Sequence, residues 1–413
     1  MTMKTADYVA LEDRHEAHYY LPLDVVINRA EGVWVWDVEG NKYLDCLAAY
    51  SAVNQGHCHP AIVKALADQA AKVALVSRAF RTDQLGLFYQ QVSELTGFPR
   101  VLPMNTGAEA VEAAVKLTRK WAYTVKGVAD DQAEILVFSD NFHGRTTTIV
   151  GFSSEPQYRQ GFGPYSGGFR ILPYGDAEAV ADAMNPNVAA ILIEPIQGEG
   201  GIIIPKAGYL QDLRQIATEN NVLLMLDEIQ SGLGRTGKMF AFEHEGIRPD
   251  VLILGKALSG GHYPVSVVCA EDKVMDVFRP GDHGSTYGGN PVAAAVARAA
   301  LQVLVDEKLV ENSADLGQYL LDRLRKVDSD YVKEIRGVGL WIGIELEPDV
   351  GGARQFCEAL QEMGILCKET HEHVIRFAPP LVITRDEVDW ALERITQVLT
   401  SDRFRAATTQ PVA

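Results

Sequence analysis

The runs Val222-Leu223-Leu224-Met225-Leu226-Asp227 and Val251-Leu252-Ile253-Leu254-Gly255-Lys256 decide the fold class. Each is apolar at consecutive positions, as a strand buried on both faces must be, and does not alternate between core and water. Residues 135–138 and 189–193 read the same way, and helical patterns over 108–124 and 209–220 alternate with these runs. Apolar strands alternating with helices predict an α/β architecture with a mostly parallel sheet flanked by helices.

Beyond residue 290 the pattern changes. Residues 291–305 and 311–326 read as helices, 338–346 as an alternating strand, 353–363 as a helix, 373–377 as a strand and 385–399 as a helix. This predicts a second, smaller α+β domain. Residues 33–43 read as a hairpin turning at Glu39-Gly40, expected to join that domain. The expected division is an N-terminal segment over 1–60 contributing to the small domain, a large domain over 61–305, a small domain over 306–400, and a polar, mobile tail over 401–413.

Composition narrows the function. The chain has 413 residues, 47% hydrophobic and 23% charged, enough for a large core shared by two domains. A net charge of -17 argues against nucleic acid as the main partner, while leaving individual arginines free to take anionic substrates in a cleft. Five scattered cysteines without a CxxC pair suggest neither a zinc ribbon nor a disulfide framework. The first residues carry Glu12, Asp13 and Glu16, unlike a secretory or transit peptide, and no apolar run is long enough to span a bilayer. A cytoplasmic protein without membrane or nucleic-acid partners is the expectation.

Three features carry chemistry. Asp227 places a carboxylate at the carboxyl end of a buried strand, the edge where doubly wound sheets bind ligands. An isolated aspartate there is more often a cap or a loop ion pair. Lys256, at the end of the next strand and among small residues, is placed to be desolvated and nucleophilic, although a single lysine is usually solvated. Met104-Asn105-Thr106-Gly107-Ala108-Glu109 opens a helix with capping-box spacing between Thr106 and Glu109. Capping alone explains that spacing, but such an N-terminus also binds phosphate. Together a lysine, an aspartate and a phosphate cradle suit an aldehyde cofactor with a pyridine nitrogen and a phosphate.

The stretch Asp227-Glu228-Ile229-Gln230-Ser231-Gly232-Leu233-Gly234-Arg235-Thr236-Gly237, followed by Gly255-Lys256-Ala257-Leu258, resembles the signature of the class III aminotransferases, which are fold-type I enzymes using pyridoxal 5'-phosphate. The resemblance runs from about Tyr20 to Leu399. It implies Lys256 as the Schiff-base lysine and proton carrier, and Asp227 as the partner of the pyridine nitrogen. It implies Gln230 at the phenolic oxygen, Thr106, Gly107 and Ala108 at the phosphate, and Phe142 stacked on the ring. Gly284-Ser285-Thr286-Tyr287-Gly288-Gly289-Asn290 resembles the loop that lends its threonine to the other subunit's phosphate, implying Thr286 in that role and a homodimer with shared active sites.

Within the class, several segments are similar to the ornithine aminotransferases. They are Tyr50-Ser51-Ala52-Val53-Asn54-Gln55-Gly56-His57-Cys58-His59-Pro60, Val101-Leu102-Pro103-Met104-Asn105-Thr106-Gly107, Arg119-Lys120-Trp121-Ala122-Tyr123 with Val125-Lys126-Gly127, and Ile375-Arg376-Phe377-Ala378-Pro379-Pro380. The implied reaction moves the distal amino group of ornithine to 2-oxoglutarate. Arg145 is then the carboxylate clamp, since a guanidinium grips carboxylate in two-pronged fashion. Tyr20 meets the α-amino end, Tyr50 narrows the pocket, and Arg376 takes the second carboxylate of the keto acid. Glu199 resembles the gate that neutralises Arg376 during the ornithine step. Without the family pattern, Glu199 and Arg376 would read as an ordinary buried ion pair and the two tyrosines as packing aromatics. His143 departs from the tryptophan that many ornithine enzymes carry. The alternative is another ω-aminotransferase, acting on acetylornithine, 4-aminobutyrate or a diamine.

Two patterns mislead. Gly232-Leu233-Gly234-Arg235-Thr236-Gly237 matches GxGxxG and suggests a nicotinamide-dependent dehydrogenase, but its glycines do not leave a strand directly and Asp250 precedes its strand. His57-Cys58-His59 and His371-Glu372-His373 suggest metal ligands but lack zinc spacing, so no metal is expected.

Overall fold

The structure, a computed structural model, describes residues 3–404. Its centre is a seven-stranded sheet ordered Arg100–Met104, Ser266–Ala270, Val251–Leu254, Leu223–Asp227, Val188–Ile193, Glu134–Phe138 and Phe169–Leu172. From Val251–Leu254 to Phe169–Leu172 all neighbours are parallel, and Ser266–Ala270 runs antiparallel to both of its neighbours. The mostly parallel sheet is therefore present.

The consecutive apolar residues divide between two faces, as strand geometry requires. Leu224 and Leu226 join one core with Ile191, Ile193 and Leu252, while Leu223 and Met225 join the other with Ala190, Leu192 and Ile253. Each such leucine, isoleucine or methionine side chain contributes roughly 1.5–3 kcal/mol when fully buried. The helix Gly107–Trp121 covers the second face through Ala110, Val111, Ala114, Leu117 and Trp121. The last turns expected of it are a π-helical segment, Ala122–Lys126, closed by Gly127 in the left-handed region.

The C-terminal part carries a four-stranded antiparallel sheet ordered Val332–Gly337, Ile342–Leu346, Val374–Phe377 and Lys368–Thr370. The strand expected over 338–346 is shortened because the chain turns at Gly339, with φ 57, and pairs back on Val332–Gly337. The helices Leu309–Leu324, Arg354–Glu362 and Arg385–Leu399 accompany this sheet. The predicted hairpin forms from Trp34–Asp37 and Lys42–Asp45, and Lys42–Asp45 pairs in parallel with Ile365–Leu366. Its turn is built by the Asp37 carboxylate, which accepts from the Glu39 and Asn41 amides at 3.0 and 2.8 Å.

The first residues of the expected tail, as far as they are described, are anchored. Phe404 is buried and stacks on Phe356 at 4.0 Å, and Arg403 pairs with Glu362 at 2.5 and 2.9 Å. Residues 405–413 lie outside the described residues.

The GxGxxG loop has a structural job. Arg235 is fully buried and donates to the carbonyls of Leu340 at 2.8 Å and Pro379 at 2.7 Å, and to the Asn54 side chain. It thereby ties the N-terminal, central and C-terminal segments together. Burial pushes its pKa down to about 9, against the weaker opposing charge of Asp45. Gly237, with φ 79, lies so close to the helix Leu309–Leu324 that an added Cβ would stand 2.8 Å from the Ala314 Cα. These glycines serve close packing, so the dinucleotide reading loses its support. Asp250 pairs with Arg214 at 2.7 Å and accepts the Leu224 amide at 2.9 Å, at the end of the sheet opposite Asp227.

Candidate active site

The register of the parallel strands assembles the site. Leu223–Asp227 pairs with Val188–Ile193 so that Met225 faces Leu192 and Leu226 faces Ile193. One step further sets Glu194 beside Asp227. The alternation that sends Leu223 and Met225 to the helix-covered face sends Asp227 there too. The N-terminus of the helix Gly107–Trp121 lies at the same edge. A cavity of about 200 Å³ opens there, lined by Gly107, Ala108, Phe142, Asp227, Gln230 and Lys256. His143, Glu194 and Ile229 complete much of its wall.

Lys256 leaves its strand with φ 43, a left-handed conformation that costs a non-glycine residue roughly 1–2 kcal/mol. Burial pushes its ammonium pKa below the ordinary value, although Glu199, Asp227 and Glu194 pull the other way. The lowered value favours the neutral, nucleophilic amine.

Asp227 is held on both oxygens. Oδ2 lies 2.7 Å from His143 Nδ1, and Oδ1 accepts the Ile229 amide at 3.1 Å. His143 is buried, and its Nε2 has no hydrogen-bond partner among the described residues. Burial opposes the imidazolium, but the bond to Asp227, its charge and that of Glu194 prevail and raise the pKa. Glu194 is buried and accepts the Phe142 amide at 2.9 Å. Burial raises its pKa to about 7, further helped by Asp227 and opposed by His143, the Phe142 amide and Lys256.

At the helix entrance, Thr106 Oγ1 accepts from the Glu109 amide at 3.3 Å, and Glu109 Oε2 accepts from the Thr106 and Asn105 amides at 2.9 Å. This capping box fixes the first turn. It leaves the Gly107 and Ala108 amides, which have no intrahelical acceptor, at the cavity wall. A Cβ at Gly107 would stand 2.9 Å from Ile229 Cδ1, so the glycine keeps that wall open.

A second cavity, of about 560 Å³, is lined by Tyr20, Tyr50, Arg145, Glu199 and Arg376, all of the sequence-predicted substrate residues. Arg376 is 3% exposed and its Nη1 lies 2.6 Å from Glu199 Oε1. Burial works against the Glu199 carboxylate, yet Arg376 and then Lys256 hold its pKa below the ordinary value. The Arg376 guanidinium also sits 5.3 Å from the Tyr50 ring. Ala48, Ala49, Tyr50 and Ser51 all have positive φ, from 48 to 69. This strained left-handed turn is pinned by Asp45, whose Oδ1 accepts the Leu47 and Ala48 amides at 2.9 Å. Tyr20 is exposed, on a segment that Arg354 holds through the Pro22 and Leu21 carbonyls at 2.7 and 3.2 Å.

Thr286 lines neither cavity. It borders a separate cleft of about 550 Å³ with Ser285 and Arg78, although Ser285 Oγ lies 3.2 Å from Asn105 Nδ2 at the helix entrance. The histidine pairs serve elsewhere. His57 meets Asp45 at 2.7 Å, His59 meets Glu307 at 2.8 Å, and His371 stands in the wall of the larger cavity. Among the described residues no group of three or more His, Cys, Asp or Glu is placed to hold a metal ion, and no helix is long and apolar enough to cross a membrane.

Sequence reasoning missed Glu194, Tyr158, Lys368 and Glu369. Glu194 had the same signal as Asp227: an apolar strand running straight into a carboxylate. Lys368 and Glu369 lie on a short strand without apolar patterning, and Tyr158 lies on a one-turn helix, Pro156–Arg159, so neither carried a signal.

The family model described as aminotransferase class-III matches residues 15–399. The chain is 57% identical over 396 residues to an ornithine aminotransferase of Brevibacillus brevis, covering 96% of this chain and 98% of the relative. It is 58% identical over 395 residues to one of Staphylococcus carnosus, covering 96% and 99%. The structure of an ornithine aminotransferase from Toxoplasma gondii superposes with a TM-score of 0.95 at 44% identity, covering 96% of this chain and 95% of the other. An acetylornithine aminotransferase from Elizabethkingia anophelis superposes with a TM-score of 0.88 at 46% identity, covering 96% and 99%. The chain belongs to the class III aminotransferases, a family of pyridoxal-phosphate-dependent enzymes.

Proposed function

We propose that this protein moves the δ-amino group of L-ornithine to 2-oxoglutarate, giving glutamate and glutamate 5-semialdehyde, which cyclises to pyrroline-5-carboxylate. Pyridoxal 5'-phosphate is the cofactor in this reading. The residues fit it on three counts: two open amides at a glycine-lined helix entrance, a carboxylate fixed by His143, and a desolvated lysine in the same cavity. When bound, the cofactor supplies an aldehyde to take the amino group and a cationic ring to draw electrons from the bond being broken.

The chain's own residues do the rest. Asp227 keeps the proton on the ring nitrogen, and Lys256, in its neutral form, carries a proton between the amine-bearing carbon and cofactor C4'. Gln230 would meet the phenolic oxygen, Phe142 would lie against the ring, and Thr106, Gly107 and Ala108 would take the phosphate. Arg145 takes the ornithine carboxylate, Tyr20 the α-amino group, and Tyr50 narrows the entrance. The reading includes a homodimer in a cytoplasmic setting, with Thr286 reaching the phosphate bound by the partner subunit. Support for that role is the position of Thr286 outside its own chain's cavity, beside a loop that touches the helix entrance.

The observation that carries ornithine is the Glu199–Arg376 pair at 2.6 Å, in the same cavity as Arg145. A closed pair removes the second carboxylate site from a monocarboxylate substrate, and an opened one restores it for the dicarboxylate acceptor. Acetylornithine is the second reading, favoured by the Elizabethkingia neighbour. Incubation with ornithine and 2-oxoglutarate, trapping the pyrroline product, tests the choice. Trapped product is expected; its absence alongside turnover of acetylornithine would favour the second reading.

A further inference from the structure

Arg145 stands in the larger cavity in an unusual way. Among the described residues it forms no ion pair and no hydrogen bond to a protein acceptor. Its guanidinium is instead held by aromatic faces, 4.2 Å from the Tyr158 ring centroid and 5.6 Å from that of Phe142. The two rings pack edge to face at 6.1 Å. Arg376, on the other wall, has its Nη1 engaged by Glu199, while its Nε has no hydrogen-bond partner among the described residues.

The difference has a physical consequence. A carboxylate partner would fix a guanidinium but occupy the very donors a substrate carboxylate must use. An aromatic face attracts the cation through the ring quadrupole and leaves the in-plane N–H groups unoccupied. Tyr158 can do this because Pro156–Arg159 forms a single helical turn whose start is capped by Glu155, accepting from the Gln157 amide at 3.2 Å. Phe142 is fixed in turn by Glu194, through the 2.9 Å bond to its amide.

We propose that Tyr158 is a specificity-determining positioning residue: its ring holds Arg145 with all of its hydrogen-bond donors free, so that the clamp is preorganised for the carboxylate of the amino donor. This rests on the reading of Arg145 as the carboxylate clamp. The face of the ring does the work and not its hydroxyl, so phenylalanine is an adequate substitute and an aliphatic residue is not. Preorganisation acts on binding, so its loss falls on KM and leaves kcat largely intact.

Steady-state kinetics of the holoenzyme with ornithine, and with n-butylamine as a donor lacking the carboxylate, test this. Tyr158→Leu is expected to raise KM for ornithine roughly 3- to 30-fold, the range of a cation–π contact, with kcat within about twofold. The same variant should leave the n-butylamine reaction and the bound-cofactor absorbance unchanged, and Tyr158→Phe should restore the KM for ornithine. An unchanged KM in Tyr158→Leu overturns the proposal, as does a Tyr158→Phe variant as impaired as the leucine one. Equal losses with both donors would also overturn it, since they would mean damage to the cofactor site. Arg145→Gln separates the two levels of the argument. If it raises KM and Tyr158→Leu does not, the Tyr158 proposal alone falls; if it leaves KM unchanged, the reading of Arg145 falls as well.

Discussion

His143 Nδ1 lies 2.7 Å from Asp227 Oδ2, and both side chains are sealed from solvent. A buried carboxylate without hydrogen-bond partners is costly, and His143 supplies one to Asp227. In the proposed reading, the imidazole acts on the cofactor through the aspartate.

Replacing His143 by Phe removes that bond and leaves a buried carboxylate with one fewer donor. Hydrogen bonds to charged groups are worth about 1.5–3 kcal/mol, so kcat/KM should fall roughly 10- to 100-fold, with weaker retention of the cofactor on dialysis. Stability should also lose a pH dependence. The folded-state pKa of His143 lies above the ordinary imidazole value of 6.5, so its contribution is complete below that pH and disappears as pH rises through the raised value. Thermal unfolding of wild type and variant, followed upward from pH 6.5, should converge at the alkaline end; parallel curves would refute the linkage.

Glu194 follows the same sign in a lower pH window. Its pKa rises from 4.5 to about 7 on folding, so the folded state binds more protons and loses stability as pH climbs through that window. In the cofactor-free protein, Glu194→Gln should flatten the fall in unfolding free energy between about pH 4.5 and 7, measured by urea titration. An unaltered slope would place the titrating group elsewhere.

Glu199→Ala should uncover Arg376. The guanidinium then binds the α-carboxylate of ordinary amino acids throughout the cycle, so α-transamination of glutamate should rise relative to ornithine turnover. Breaking a buried pair from one side also leaves an uncompensated charge, worth about 3–5 kcal/mol, so a lower melting temperature is expected alongside. Unchanged selectivity would remove the gate from the account.

Much of this was legible in the sequence because buried parallel strands leave a plain signal. Val251–Leu254 appeared with its observed bounds, and the residues at the strand ends, Asp227 and Lys256, fell where the sheet edge puts them. The strands Arg100–Met104 and Phe169–Leu172 did not stand out, since Pro103, Arg100 and Arg170 interrupt the apolar pattern. Tyr20, Tyr50, Arg145, Glu199 and Arg376 came from family resemblance, because nothing in spacing brings together residues so far apart. What no pattern announced was held by geometry: the strained turn at Tyr50, the aromatic seat under Arg145, and the role of Arg235 as a knot between segments.

The account depends on a covalent attachment at one lysine. Borohydride reduction of the holoenzyme, followed by proteolysis and mass spectrometry, locates the cofactor on the chain. The account predicts a single phosphopyridoxyl group on Lys256, absent from Lys256→Ala. Attachment at any other lysine, or a spectrum and activity that survive in Lys256→Ala, would contradict it.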